Sequence, residues 1–371
     1  MEKVTLVWPI FKSKRILRTA RVSAFLLVVV LAFGLFAGCS KKTDEANRLT
    51  VVINENVVTA PLIGIAREKG YFKEQGLKID AITFDSGSSG AIESLDVGKL
   101  DILPTGIIPS LSYAAQGSGI KVIGGTASGG NYIIAKPELA AKLRNDPDFE
   151  QWKGKRLGLV RLSTSQMVTR YSLGKRGFDM NKDVTFVEID TYPNIIEGVR
   201  KGEVDIGYVD TSYLQRLAEQ GLEIAYPMTY LLSDYVCCTI NVSANAYKNK
   251  RPALVKFLKS LILAYKDYTE DQDGTVKLLA AASRQTEQYA YNILYNPDTS
   301  ADRKFNPEPN FNGTRNVYET LLQLGYTKNI GVPIEDIVDV SIFKDALDEI
   351  LGEYPNEQAY LKLKADFEAN N

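Results

Sequence analysis

GKLDILPTG, residues 98–106, decides the fold because the chain repeats it as GEVDIGYVD, residues 202–210. In both copies a helical run ends at a glycine. One residue follows, then an apolar residue, then Asp-Ile at Asp101-Ile102 or Asp205-Ile206, and a short apolar strand opens into a polar loop. The upstream spacing agrees: Asp85 lies 16 residues before Asp101, and Asp190 lies 15 before Asp205. Each of those aspartates closes an apolar strand, Ile79 to Phe84 or Val184 to Ile189, and each strand follows a helix that stops near Gly70 or Gly177. A β-α-β-α-β pattern used twice predicts two similar α/β lobes, each a mixed sheet flanked by helices. Two such lobes leave a cleft between them, a common place for a small ligand.

Working outward, Leu49 to Ile53 alternates as a strand, and the loop 54–58 follows it. Thr59 can cap a helix with Pro61 in its first turn and Leu62, Ile65 and Ala66 as its buried stripe. Lys121 to Gly125 reads as another strand, and the small polar run TASGGN, 126–131, as the crossover into the second lobe. Pro137 to Phe149 is a helical excursion. A strand over Arg156 to Val160 precedes a helix capped by Ser163-Thr164-Ser165 and carrying Met167, Val168 and Tyr171. Leu214 to Gly221 is expected to be helical. The second crossover falls near Pro227 to Tyr235, and Tyr235 to Asn241 returns as a strand to the first lobe. The first lobe is then discontinuous, 49–127 plus 233–371, and the second is 128–232. Leu254, Leu258, Leu261 and Tyr265 recur at helical spacing in Pro252 to Tyr268. Thr275 to Tyr295, Asn316 to Leu324 and Ile342 to Leu351 are expected as further helices, Asn296 to Asn312 as a proline-interrupted loop, and the residues past Tyr354 as a polar, partly helical tail.

Residues 1–38 read as a leader rather than as part of the fold. Lys12, Lys14, Arg15, Arg18 and Arg21 precede 15 uncharged residues, Val22 to Phe36. That run is long enough for a signal segment and short of the roughly 20 residues a spanning helix needs. Phe36-Ala37-Gly38-Cys39 then has the form of a bacterial lipobox, with Phe36 where leucine is usual. The expected product begins at Cys39, carries lipid there, and lies outside the cytoplasm, in a periplasm or on the outer face of the cell membrane. The polar stretch 39–48 serves as its tether. Removing the leader leaves 38 basic and 44 acidic residues, a net charge of −6, which argues against a nucleic-acid partner. Only Cys237 and Cys238 remain as thiols. As strand neighbours they are expected on opposite faces, which excludes a disulfide framework.

The segment PLIGIAREKGYFKEQGLKIDAITFDSGSSGAIESLDVGKLDILPTG, from Pro61 to Gly106, resembles the opening of the solute-binding proteins for nitrate, sulfonates, taurine and thiamine-precursor pyrimidines. The likeness continues through KGKRLGLV, the STS helix start, GEVDIGYVD and the helix NKRPALVKFLKSLILAYKDY, and it covers about Leu49 to Tyr268. The resemblance implies a periplasmic-binding-protein-like α/β fold. It also implies an importer role, with an ABC permease and its ATPase as partners, and a monomer that captures a sulfonate-, taurine- or aminopyrimidine-like solute by closing two lobes.

The chain has no histidine, which removes most metal-site layouts and the Ser-His and Cys-His nucleophile pairs. No cofactor is expected, and no catalysis is required. An exported enzyme or sensor using the same cleft is the rival reading. In open α/β sheets, ligands sit beyond the carboxyl ends of strands. The candidates there are Asn54, Asn56 and Val57; Ser86, Ser88 and Ser89; Thr105, Gly106 and Ile107; and Ser128. In the second lobe they are Arg161, Ser163, Thr164, Ser165, Tyr192, Asp210 and Tyr213. The two serine-rich helix starts offer free N–H groups to an anion. Arg161 is the cation placed near the mouth. Asp210 would suit an amine, and Tyr132, Tyr192, Tyr208 and Tyr213 could stack on a planar ring. Asp101 and Asp205, at strand starts, are expected to satisfy backbone donors instead.

Overall fold

Among the described residues of a computed structural model of the chain, ten strands build two five-stranded sheets. Residues 45–53, 60–84, 88–161, 163–233, 235–300, 302–328 and 330–371 are described, and those from Arg48 onward pack as one unit. The strands are β1 (Arg48–Val52), β2 (Lys78–Ile82), β3 (Ile102–Gly106), β4 (Lys121–Ser128), β5 (Asn131–Ala135), β6 (Lys155–Leu159), β7 (Val184–Glu188), β8 (Ile206–Asp210), β9 (Glu223–Pro227) and β10 (Val236–Val242). One sheet has the order β2-β1-β3-β10-β4 and the other β7-β6-β8-β5-β9. The patterns are equivalent. Three parallel strands are followed by one antiparallel strand, β10 between β3 and β4, or β5 between β8 and β9. In each case the inserted strand has just crossed from the other sheet. The fold is the two-lobed α/β arrangement, each lobe a mixed sheet flanked by helices.

The helices are α1 (Pro61–Glu68), α2 (Ser88–Asp96), α3 (Ile107–Ala115), α4 (Pro137–Arg144), α5 (Thr164–Lys175), α6 (Tyr192–Lys201), α7 (Arg251–Glu270), α8 (Gln272–Ser283), α9 (Glu287–Leu294), α10 (Phe311–Gln323), α11 (Ser341–Glu353) and α12 (Gln358–Asn370), with shorter turns between them. The repeated motif does the same work in both lobes. Gly98 and Gly202 follow α2 and α6 at φ +74° and +76°, the left-handed turn that lets a helix stop. Asp101 then donates its N–H to the Thr50 carbonyl (2.9 Å), while its Oδ2 accepts the Thr50 N–H (2.8 Å). Asp205 and Arg156 make the same pair of bonds at 2.9 and 2.8 Å. A strand-start carboxylate thus completes the ladder where backbone pairing is only beginning.

The longest apolar stripe anchors the first lobe. Leu254, Leu258, Leu261 and Tyr265 of α7 are all buried, and Phe257 stacks on Phe72 at 5.1 Å between ring centroids. Each such side chain stabilises the fold by roughly 1.5–3 kcal/mol. Lys259, on the same helix, is buried as well and is held by Glu349 and Glu353 of α11 at 2.9 and 3.1 Å.

The structure departs from the sequence reading in several places. The strand expected over Lys121 to Gly125 runs on to Ser128, because β10 pairs along its whole length through bulges. The crossover itself is therefore only Gly129-Gly130. The single helix expected over Thr275 to Tyr295 is two, broken where Arg284 takes φ +56° and Thr286 caps α9 by accepting the Tyr289 N–H. Leu214 to Gly221 forms 3-10 turns, with Asp210 capping the first and left-handed Gly221 ending the second. The 296–312 segment includes a helical turn, Pro297–Ser300, and α10 starts at Phe311 under an Asn310 cap. Helix α1 has Ala60 at its cap position, with no side-chain cap. Thr59, Asp85, the leader and Cys39 lie outside the described residues.

Candidate functional site

The amino end of β10 is where the two sheets meet. Cys237, its second residue, is approached from the second sheet by two side chains. Thr164, in the first turn of α5, donates through Oγ1 to the Cys237 carbonyl at 3.5 Å. Asn131, the first residue of β5, points Nδ2 at the Cys237 sulfur (3.8 Å) and at the Tyr235 hydroxyl (3.3 Å). Cys238 pairs with Gly106 of β3 and Ala127 of β4. The carboxyl ends of β3 and β4 and the start of α5 therefore converge on one place, as strand-end loops in open sheets do.

The expectation that Cys237 and Cys238 face opposite ways fails here. Register shifts on either side of Cys238 rotate the chain, and the two sulfurs lie 3.0 Å apart. Period-two alternation holds only in a regular strand, and a bulge resets it. The contact between the two thiols holds one proton and favours loss of the other, lowering Cys237 and raising Cys238, and the Arg303 guanidinium favours the thiolate at both.

Arg303 is the cation of this region, and nothing in the sequence reading pointed to it. Its guanidinium lies 4.9 Å from the centroid of the Phe305 ring. The segment carrying it runs beside the first crossover, where Lys304 and Ser128 exchange backbone hydrogen bonds of 2.9 and 3.0 Å. Arg161, the cation the sequence offered, has a side chain 72% exposed and lies 3.7 Å from Glu188.

Asp210, paired in register with Asn131, ends β8. Its Oδ1 accepts from the Ser212 N–H at 2.7 Å, and the Ser212 hydroxyl donates to the same oxygen. The Tyr192 and Tyr213 rings pack at 5.5 Å with a 57° tilt. Burial, and then the Asp210 carboxylate, push both phenols above their ordinary range, and Cys237 and Cys238 add to this at Tyr192. Asp210 pairs in register with Asn131, whose amide reaches the Cys237 sulfur, and the Arg303 side chain lies against the adjacent Gly130, so an anion and a cation flank the first crossover near the two thiols.

The other expected residues fall as follows. Ser163 caps α5 by accepting the Gln166 N–H at 3.2 Å, and Thr164 and Ser165 are buried in the first turn, where α-helix geometry leaves N–H groups without intrahelical partners. Thr105 and Gly106 end β3 half-buried, whereas the Ile107 side chain is in the core and offers the site only its backbone. Ser128 is committed through its backbone to Lys304. Ser88 and Ser89 open α2. Asn54, Asn56, Val57 and Ser86 lie outside the described residues. Of the four tyrosines, Tyr208 is in the core, bonded to Thr169 at 2.9 Å, and Tyr132 donates to Asp302 at 2.8 Å, so neither is available to stack on a ligand. Among the described residues no group of three or more His, Cys, Asp or Glu side chains could hold a metal ion. A further cavity of about 270 Å³ lies between α5 and α10, with Tyr171, Lys175, Tyr235 and Asn316 in its lining.

Residues 42–282 match the family model described as NMT1-like. The Bacillus subtilis (strain 168) protein named "Putative binding protein YtlA" is 25% identical over 300 residues, covering 74% of this chain and 85% of that protein. The periplasmic nitrate-binding protein NrtA from Synechocystis PCC 6803 superposes with a TM-score of 0.67 at 13% identity, covering 82% of this chain and 89% of that one. The ligand-binding component of an ABC-type import system from Staphylococcus aureus gives 0.65 at 13%, over 81% and 99%. The aliphatic sulphonate binding protein SsuA from Escherichia coli gives 0.61 at 16%, over 78% and 91%. At these identities the superpositions establish a shared fold.

Proposed function

Because the chain belongs to the NMT1-like family, we propose that it is the solute-binding component of an ABC importer, held outside the cytoplasm by lipid on Cys39. It captures a small polar organic ligand between lobes 49–127 plus 233–371 and 128–232, as a monomer, and passes it to a membrane permease and its ATPase. Ligand that touches both lobes favours the closed state, so closure follows from binding and needs no chemistry. The nitrate, sulphonate and import-system functions of the fold relatives support this class.

The observation that carries the reading is that Asp210 pairs with Asn131 while the Arg303 side chain packs against the neighbouring Gly130, so opposite charges flank the first crossover, with the Tyr192 and Tyr213 rings packed at 5.5 Å. A simple dianion would be repelled by Asp210, by about 4 kcal/mol at 4 Å for an effective dielectric near 20. A ligand with an acceptor group at one end and an amine at the other satisfies both charges. Taurine and aminopyrimidines have that form.

Calorimetry on the wild type, Asp210→Asn and Arg303→Gln tests this with taurine, a plain alkanesulfonate, nitrate and an aminopyrimidine. Asp210→Asn is expected to weaken the amine-bearing ligand by about 1.5–3 kcal/mol, the worth of a charge-assisted hydrogen bond, and to strengthen nitrate or the plain sulfonate. Arg303→Gln weakens every anionic ligand. Amine binding that is unchanged or tighter in Asp210→Asn would make Asp210 only a cap on the turn after β8.

A further inference from the structure

Cys237 and Cys238 are free thiols whose sulfurs are 3.0 Å apart, a contact the bulges in β10 create and a regular strand would forbid. The pair sits where the two lobes meet, half-buried, with the Asn131 amide 3.8 Å from the Cys237 sulfur. We propose that Cys237 and Cys238 form a vicinal dithiol–disulfide couple, closed by exchange with a small-molecule disulfide and reopened by a small-molecule thiol. This inference does not depend on the identity of the solute.

The chemistry assigns each sulfur a step. Cys237 loses its proton to solvent and attacks one sulfur of an external disulfide, RSSR, forming a mixed disulfide and expelling a thiolate, RS⁻. Cys238 then loses its proton and attacks the Cys237 sulfur, expelling the second RS⁻. Two S–H bonds are lost, one S–S bond forms, and RSSR is reduced to two RSH. The Asn131 amide, aimed at the Cys237 sulfur from 3.8 Å, suits this division by stabilising a thiolate there.

Adjacent Cα atoms are about 3.8 Å apart. Ordinary disulfides span about 4.4–6.8 Å, so the closed ring is strained and readily reduced. That is the character of a labile couple rather than a structural bridge. Closure replaces two thiols beside Arg303 and Tyr192 with an apolar ring and fixes the bulge against β3 and β4. The lobe junction therefore has two chemical forms.

The test uses the full chain treated with oxidised glutathione, blocked with iodoacetamide and digested with trypsin. The peptide between Arg216 and Lys248 contains both cysteines and excludes Cys39. The folded wild type is expected to yield this peptide unblocked and two hydrogens lighter than its reduced form, with both alkylation sites restored by dithiothreitol. Cys238→Ser is expected to stop at a glutathione adduct on Cys237. Chain unfolded in urea is expected to close at least tenfold more slowly, because the bulge is gone. Two blocked cysteines after oxidation, a persistent glutathione adduct in the wild type, or equally fast closure in urea would each overturn the proposal.

Discussion

Replacing the two motif aspartates by alanine should not cost the same, although both occupy one position of a repeat. The Asp101 side chain is 7% exposed. Its Oδ2 accepts from the Thr50 N–H and from the Lys250 ammonium, both at 2.8 Å, and the lysine side chain is only 21% exposed. Asp101→Ala strands a strand N–H, at about 1–3 kcal/mol. It also removes the partner of a largely buried cation, a loss that reaches about 3–5 kcal/mol when burial is complete. Lys250 keeps its bond to the Arg48 carbonyl at 3.0 Å, so a combined loss of about 3–5 kcal/mol is expected. The Asp205 side chain is 29% exposed and its partner Arg156 43%, and Arg156 keeps the Gly202 carbonyl at 2.8 Å. Water can replace much of what Asp205→Ala removes, leaving a loss of about 1–2 kcal/mol. Urea unfolding of both variants without ligand measures the two losses, provided the slopes match the wild type. Asp101→Asn, which retains an acceptor for Thr50, should fall between. Equal losses, or a larger one at Asp205, would refute the argument that burial of the cationic partner sets the cost.

Three further outcomes are expected. Gly129→Ala places a Cβ at φ +66° and 1.9 Å from the Asp302 carbonyl oxygen, so it should destabilise by well over the roughly 1–2 kcal/mol of a left-handed alanine, whereas Gly70→Ala, at φ +82° with open space around it, should cost only about that; urea midpoints compare them. At Asp339 burial pushes the carboxyl up, but bonds from Ser341 and Tyr247 and the Arg251 charge outweigh it and hold it below its ordinary 3.8. Its stabilisation is therefore complete above the unfolded pKa and lost as pH falls through the folded one. Asp339→Asn should be less stable than wild type at neutral pH, with a gap that closes in acid; a gap constant with pH in urea titrations would contradict this. Cys39→Ser should leave an uncleaved precursor, and labelled palmitate appearing equally in both proteins would defeat the lipid anchor.

The fold was legible because its signals are local. Gly98 and Gly202 mark helix ends, Asp101 and Asp205 mark strand starts, and the Leu254 to Tyr265 stripe marks a buried helix face, each readable within a few residues. The caps were legible for the same reason: Ser163 opens α5 and Asp210 ends β8, the local signals that make Thr164, Asp210, Tyr192 and Tyr213 candidates. What failed was set by tertiary context. Tyr132 and Tyr208 look like Tyr192 in sequence, yet Asp302 and Thr169 claim their hydroxyls. Cys237 and Cys238 obey alternation until β4 pairs with β10 out of register. The break within Thr275 to Tyr295 does leave a local trace, the polar run Ser283 to Gln288 with Thr286 as the next cap.

Arg303 illustrates why a cleft charge can escape a reading of motifs. The stretch around it has prolines and no periodicity, and its structure comes from what it touches rather than from its own pattern. Asp302 accepts from the Tyr132 hydroxyl at 2.8 Å, the Gly130 N–H at 3.3 Å and the Thr229 hydroxyl at 3.4 Å. Gly130 belongs to the first crossover and Thr229 leads into the second, so one carboxylate ties a distant segment to both connections between the sheets. A Cβ on Gly130 would come within 2.8 Å of the Arg303 side chain, so the glycine makes room for it. Arg303 is thus positioned beside the crossovers. The repeat builds the two sheets, while a segment outside the repeat, 302–304, ties itself to the connections between them.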